Sequence, residues 1–573
     1  MRQGLYGFLS CALGLAASLR TDQTFYNPIL PGWNPDPSCI FVPEANNTFF
    51  CTTSSLVVFP ALPIYASQDL QSWELISNVL HDPDQFPDIA SASIPNEGFL
   101  ESTLRHHHGK YYLTTGYYAP DGKFTTLIFK SHNPFNESGW GKPLECPTLG
   151  YDPDLFWDDD GSSYLTALKV PDNTVIQAPI DLDTGRWGSE YYLWNGTGGG
   201  TLEGPHIIKK DGFYYLTIAE GGISVDHMQT MARSERLNGP YIPFEKNPVL
   251  SSRNSSEYFQ AVGHLDLFQD AKGEWFGVAC ATRSGPEWKN FPMGRETSLF
   301  PVTWNQGQWP EFPPVRGVMN GSSLPPRMSL LKDEDKVDGT DMIDFSPGSS
   351  IPKHLLHYGL PNFSSYTVSP KNYSHSLRLR ASKTNLTGTI GSKTAEQRTA
   401  IFRKQAHSLF LFELDILFTP AMTSEEAGIT VFLAPQQHLD LAIGSVKNEK
   451  GSVIPALIFR VMNLGKNETN HPPTEFYPLP EAWRQSPVRL QVSATNVTTY
   501  RFSAKLISAE RKMEYVFYGS AGVVTAGEGK FDGALFWHAC TKPSWRGRFE
   551  MLMKSNRILA WSVCHYRWWK WYT

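Results

Sequence analysis

From Phe25 to about Val318 the apolar positions fall in short runs rich in Tyr, Phe, Thr and Val, broken by Asp-Gly, Asn-Gly and Pro. No long stretch repeats at the helical period, so the pattern predicts short β-strands throughout. One layout occurs five times: a polar residue and then, roughly ten positions on, a turn followed by an aromatic or apolar strand. Asp36 precedes Asn46-Asn47-Thr48 and Phe49-Phe50-Cys51, and Glu101 precedes His108-Gly109-Lys110 and Tyr111-Tyr112-Leu113. Asp152 precedes Asp160-Gly161-Ser162 and Tyr164-Leu165, Glu203 precedes a turn and Phe213-Tyr214-Tyr215-Leu216, and His264 precedes Lys272-Gly273-Glu274 and Trp275-Phe276. The units recur every fifty to sixty-five residues, roughly the period of propeller blades rather than of helical arrays, and predict a five-bladed β-propeller. The innermost strand of each blade lines a central channel, so one residue per blade can converge on a point. Taken singly, each polar residue would read as a solvated strand end. The repetition turns them into two Asp, two Glu and one His facing one another, with Gly204-Pro205 directly behind Glu203 leaving its carboxylate uncovered.

The segment 321–339, with Pro325-Pro326 and the charged run Lys332 to Lys336, breaks the blade pattern and reads as a linker or wrap. Beyond it, Leu377-Arg378-Leu379-Arg380, Leu409 to Ile416, Gly428 to Leu433 and Val488 to Val492 predict antiparallel strands, mostly half exposed. Their spacing suggests a β-sandwich of the jelly-roll, concanavalin-like kind. The expected organisation is a leader over 1–18, a propeller over 25–320, the linker, and a sandwich over 340–573, making the chain all-β. After Thr541 the strand rhythm is lost, and the Trp-dense end from Arg567 to Tyr572 has no physical account.

With 573 residues the chain is long enough for two domains. A net charge of −6 and a pI near 6.3 supply no broad basic field, which argues against nucleic acid as a partner. The start, Met1-Arg2-Gln3 and then Leu5 to Ala17, has the cationic, apolar and small-residue order of a signal peptide and is too short to remain in a bilayer. No later stretch suits a membrane span. Sequons stand at Asn46, Asn136, Asn195, Asn254, Asn320, Asn362, Asn372, Asn385, Asn467 and Asn496, as in a secreted, extracellular glycoprotein. The cysteines lack metal-site spacing, and Cys39 and Cys51, flanking one hairpin, leave open a disulfide or two buried thiols.

Asn27-Pro28-Ile29-Leu30-Pro31-Gly32-Trp33-Asn34-Pro35-Asp36-Pro37-Ser38 resembles the opening of glycoside hydrolase family 43, the five-bladed β-xylosidases and α-L-arabinofuranosidases. In order, Tyr151-Asp152-Pro153-Asp154, Leu202-Glu203-Gly204-Pro205-His206, Gly263-His264-Leu265-Asp266 and Gly294-Arg295-Glu296-Thr297 continue the resemblance. Arg403-Lys404-Gln405-Ala406-His407, Glu425-Glu426-Ala427-Gly428 and Lys530-Phe531-Asp532-Gly533-Ala534 are similar to the sandwich appended to the xylosidase-type members.

The resemblance implies a secreted, inverting exo-glycosidase acting on terminal xylose or arabinofuranose of plant-wall oligosaccharides. It makes Asp36 the general base, Glu203 the general acid and Asp152 the residue that tunes and orients the acid. Such chemistry needs one carboxyl protonated and one ionised at working pH, about 6.5 to 9.5 Å apart to admit a water. Arg295 and His264 match positions that contact the sugar or a catalytic carboxylate, with Glu296 or Asp266 as alternative partners for Arg295. Phe531 matches an aromatic that closes the channel mouth, its alternative being sandwich core. No cofactor is required, and a hydrated calcium near His264 in the channel stays open. Where many relatives carry Trp and Ala-Pro, this chain has Leu100-Glu101-Ser102. Glu101 is therefore expected to bind a sugar hydroxyl, to pair with Arg105 or Arg295, or to reach solvent. His106-His107-His108 is expected at a hairpin tip. The rival readings are a retaining fructan-cleaving propeller, whose Asn-Asp-Pro-Asn setting differs from Asn34-Pro35-Asp36-Pro37, and an inactive propeller that only binds glycans.

Overall fold

The runs of Tyr, Phe and Val separated by Gly and Asn turns close into antiparallel hairpins, and these stack into five consecutive sheets. The protein is seen here as a computed structural model describing residues 23–322, 324–326, 335–389, 397–423, 425–463, 472–507, 513–525, 535–541 and 550–554. The expected leader 1–18, Asn467, Phe531 and the Trp-dense end lie outside the described residues.

The first sheet holds Ser38–Val42, Thr48–Thr52, Ala61–Ser67 and Glu74–Leu80, and the second runs from Gly98–His107 to Leu144–Cys146. The third runs from Tyr151–Trp157 to Tyr191–Trp194, and the fourth from Leu202–Lys210 to Leu250–Ser251. Phe259–Gln269, Trp275–Arg283 and Glu296–Val302 make the fifth. The opening strands of these sheets touch in cyclic order. Ser38–Val42 lies between Gly98–His107 and Phe259–Gln269, Tyr151–Trp157 between Gly98–His107 and Leu202–Lys210, and Leu202–Lys210 also meets Phe259–Gln269. The two ends of this ring are tied together, since the Ile29 N–H donates to the Thr297 carbonyl at 2.9 Å and Gln23–Tyr26 pairs with Val318–Ser322.

Cys39 and Cys51 face each other across the first hairpin and form a disulfide, settling the choice the sequence left open. The segment expected as a linker is anchored wherever it is described. Its beginning belongs to the strand Val318–Ser322, and near its end the Val337 N–H donates to the Trp73 carbonyl at 3.0 Å.

Among the described residues the second domain is a two-sheet stack of seven and six strands. Alternation in Val488–Ala494 turns Val488, Leu490 and Val492 inward, and they share one core with Ile429, Val431, Leu439 and Leu457 of the other sheet. The loss of strand rhythm expected after Thr541 is corrected. Glu550–Lys554 is a strand inserted between Ser376–Arg380 and Phe410–Leu417. Its text, Glu-Met-Leu-Met-Lys, lacks the β-branched residues that mark strands, and the pairing partners on both sides override that weak preference. The domains meet directly: His357–Tyr358 pairs with Val58–Phe59, and the Phe291 N–H donates to Thr525 Oγ1 at 3.1 Å.

Candidate active site

Asp36, Glu101, Asp152 and His264 have φ of 54°, 50°, 54° and 57°. L-residues seldom adopt this left-handed backbone. In the second, third and fifth sheets the register slips at these residues, between Leu100 and Thr103, Tyr151 and Asp154, and Gly263 and Asp266. In the fourth sheet the slip falls between Glu203 and His206, and Gly204 at φ 53° takes the left-handed place. A bulge of this kind bends a strand and re-aims a side chain. Four of the five polar residues singled out by the repeat are re-aimed in this way, whereas Asp36 stands two residues ahead of its strand, beyond the regular pairing.

Asp36 is 3% exposed, and its Oδ1 accepts a charge-assisted hydrogen bond from Arg295 Nη1. Its backbone N–H donates to Cys280 Sγ at 3.0 Å, and His264 Nδ1 lies 3.9 Å from Oδ1. Burial by itself would raise the Asp36 carboxyl, but Arg295, His264 and the Ser54 hydroxyl outweigh it and hold the group below the usual carboxylate range. Glu203 goes the other way. Burial raises it, and Asp36 adds like-charge repulsion against the opposing pull of His264 and Arg295. Asp152 Oδ2 accepts the Gly204 N–H at 2.9 Å, tying it to the residue after Glu203. Burial first, then Glu101 and Glu203, push Asp152 well above its ordinary value. The like charge that raises Glu203 is thus Asp36 rather than Asp152, the residue the sequence had assigned that role.

Glu101 turns to His264 and keeps 12% of its side chain exposed, while Arg295 acts on it through its charge. Its Oε2 lies 2.6 Å from His264 Nε2, and burial, Asp36 and Glu203 together raise its carboxyl well above the ordinary value. Arg105 is committed elsewhere, forming a lower layer in which it reaches Asp154 at 2.7 Å, Asp266 at 2.8 Å and Ser38 at 3.0 Å, while His206 Nδ1 meets Asp154 at 2.9 Å. Neither alternative partner of Arg295 is free for it, since Arg105 takes Asp266 and Arg283 forks onto Glu296 at 2.6 and 2.7 Å. Of the three histidines expected at a hairpin tip only His108 stands there, exposed; His106 and His107 are half-buried at the end of the strand Gly98–His107, with His107 stacked 4.6 Å from Trp157. The floor residues were overlooked in the sequence, yet a trace of them is visible. Ser38, Asp154 and Asp266 follow the site residues by two positions, His206 by three and Arg105 by four, so each floor residue stands just past its site residue at the start of a sheet.

Asp36, Glu101 and His264 offer three ligand atoms within 4.8 Å of one another. Calcium takes about six to eight oxygens. Here there are two carboxyls, one already on Arg295 and one on His264, and the third donor is nitrogen. This set supplies two carboxyl oxygens at most beside the nitrogen, so a calcium held here would take the rest of its shell from water.

Gly204 stands where a Cβ would meet the His264 ring at 2.7 to 3.0 Å, on a backbone with φ +53°. Gly204→Ala is expected to displace His264 and the neighbouring Glu203, lowering kcat by about 10- to 100-fold, the scale of a 1 Å misplacement of catalytic groups. Steady-state kinetics on a nitrophenyl glycoside with a circular-dichroism check of folding would measure it. Wild-type turnover would overturn this account of the ring's seat.

Two carboxyls driven apart in pKa on a ring of sheets, with a guanidinium on the ionised one, make a site built for glycoside cleavage. The glycosyl hydrolases family 43 pattern matches residues 25–310, and the beta xylosidase C-terminal concanavalin A-like domain pattern matches 361–545. The chain is 31% identical over 438 residues to the non-reducing end alpha-L-arabinofuranosidase BoGH43B of Bacteroides ovatus, covering 75% of this chain and 78% of that one. It is 31% identical over 443 residues to a xylosidase/arabinosidase of Butyrivibrio fibrisolvens, covering 74% of this chain and 80% of that one. The solved structure of the Bacteroides ovatus xyloglucan PUL GH43B superposes with a TM-score of 0.80 at 27% identity, over 94% of this chain and 100% of that one. The chain belongs to glycoside hydrolase family 43 and is a glycoside hydrolase with a concanavalin-like second domain.

Proposed function

We propose that the protein is a secreted, inverting exo-glycosidase that removes terminal xylose or arabinofuranose from hemicellulose oligosaccharides, without a cofactor, and that its five sheets are the blades of one propeller. The observation that carries this reading is the opposite displacement of two buried carboxyls, Asp36 held low by Arg295 and Glu203 held high by burial. An ionised Asp36 is the base that takes a proton from the attacking water, and a protonated Glu203 gives one to the glycosidic oxygen. Asp152 holds the acid in place through the Gly204 N–H. Glu101, His264 and Arg295 line the same space and would receive sugar hydroxyls. The names of relatives, xylosidase and arabinofuranosidase, favour a pentose.

Phe531 is proposed to close the mouth and select chain ends. The described residue Thr525, six positions earlier, accepts a hydrogen bond from the N–H of Phe291, four residues before Arg295 in the first domain. Secretion draws support from the nine described sequon asparagines, all of which are exposed.

Nitrophenyl β-xyloside and nitrophenyl α-L-arabinofuranoside assayed side by side should show turnover of at least one, with proton NMR of the first-formed sugar showing the anomer opposite to the substrate. A retained anomer would instead support the fructan-type mechanism. Binding of oligosaccharide with no hydrolysis of either substrate would support the glycan-binding reading.

A further inference from the structure

The strand Ala400–Lys404 belongs to the second domain, yet the partners of its last side chain belong to the first. Lys404 Nζ donates to Asn34 Oδ1 at 2.7 Å and to the Tyr65 hydroxyl at 3.2 Å, and it lies 5.6 Å from the centre of the Trp33 ring. Asn34 is the residue two before Asp36. Its backbone N–H donates to the Arg295 carbonyl at 3.0 Å, its own carbonyl accepts from Thr297 Oγ1 at 2.8 Å, and its Nδ2 donates to the Pro31 carbonyl at 3.0 Å. Asn34 thus joins the two backbones that carry Asp36 and Arg295, and Lys404 grips its remaining oxygen.

The residues after Lys404 extend the grip. The Gln405 carbonyl occupies the space where a Cβ on Gly32 would sit, 2.5 Å away, so only glycine allows the two backbones to come this close. Arg283, forked onto Glu296, donates a further hydrogen bond to the Ala406 carbonyl at 3.2 Å, and Glu296 accepts the Gly32 N–H at 2.6 Å. The Asp36 segment is therefore held from its own domain by Tyr65, Thr297 and Glu296 and from the other domain by Lys404 to Ala406. Burial brings the Lys404 amine down to about 7, and both its neutral and its charged form carry enough N–H groups for the two acceptors.

We propose that Lys404 is a positioning residue, through which the second domain holds Asp36 and Arg295 in register, so that the base is aligned only while the two domains are docked. This rests on Asp36 being the base. Losing the grip on Asn34 would let the Arg295–Asp36 contact lengthen, and a shift of about 1 Å in such a contact can lower turnover by about 10²-fold.

The test is Lys404→Met in the full chain, which keeps the stem and removes the donor. It is assayed on the nitrophenyl glycoside the wild type cleaves and on the matching natural disaccharide. Expected are a fall in kcat of about 10- to 100-fold, equal for both leaving groups because the acid is untouched, and KM within about threefold. The acid limb of kcat/KM should also move to higher pH. Asp36 is faced by Arg295, His264, His227, Cys280, Glu101 and Glu203, and of these Arg295 does most to hold it low, so a looser Arg295 lets its pKa rise. A purely structural lysine would lower the melting temperature without moving that limb. Tyr65→Phe removes the other strong donor to Asn34 Oδ1 and should move the limb the same way by less. It decides the matter should Lys404→Met fail to fold. Wild-type kcat and an unmoved limb in the folded variant would overturn the proposal, as would a loss confined to the disaccharide. If Asp36→Asn is inert while Lys404→Met behaves as wild type, only the coupling between domains falls. Turnover by Asp36→Asn would instead sink the assignment of the base.

Discussion

Asp36→Asn is expected to cut kcat by about 10³- to 10⁴-fold on every substrate, activated or not, because an amide cannot accept the proton of the attacking water. The loss should be uniform, since no leaving group compensates for an absent base. The fold should survive. The asparagine Oδ1 can still accept from Arg295, and Glu101 and Glu203 both feel that guanidinium, so its charge is not left alone in the ring. Activity on nitrophenyl glycosides together with far-ultraviolet circular dichroism would measure both halves. A folded variant keeping more than a few per cent of wild-type turnover would remove Asp36 from the mechanism.

Glu203→Gln should divide substrates instead. Hydrolysis of a natural disaccharide such as xylobiose should fall by about 10²- to 10⁴-fold, whereas aryl glycosides, whose leaving groups need little protonation, should lose far less. The pH profile carries the same assignment. The base must be ionised, so activity is lost as pH falls through the Asp36 pKa, which lies below the ordinary carboxylate range. The acid must be protonated, so activity is lost as pH rises through the Glu203 pKa, which lies above it. The wild type is thus expected to show a bell in kcat/KM wider than two unperturbed carboxyls would allow. In Glu203→Gln the alkaline limb on aryl substrates should disappear. Equal losses on disaccharide and aryl glycoside, or an alkaline limb that persists unchanged in the variant, would refute the acid role.

What the sequence settled on its own is what depends on local pattern. Period-two apolar runs, Gly and Asn turns and a recurring polar position were enough to mark out the strands of the five sheets, the second β-domain and the five residues Asp36, Glu101, Asp152, Glu203 and His264. Each of these signals lies within about ten residues of chain. Glu550–Lys554 escaped because nothing local marks it. It is a strand only by virtue of neighbours well over a hundred residues away in sequence.

Tertiary structure decided everything that depends on which atoms face each other. Arg295 chose Asp36 because Asp266 and Glu296 were already taken by Arg105 and Arg283. Glu101 turned to His264 because the bulges brought the two onto one level of the ring. The floor of Arg105, Asp154, Asp266, His206 and Ser38 draws one residue from each of five strands, so no short stretch could announce it. The pKa values follow the same logic. Asp36, Glu101, Asp152 and Glu203 have near-identical intrinsic acidity, and only their burial and neighbours push one of them down and the other three up. Lys404 shows the limit most plainly: its place in a strand can be read locally, but its contact with Asn34 joins residues 370 apart and exists only because two domains fold against each other.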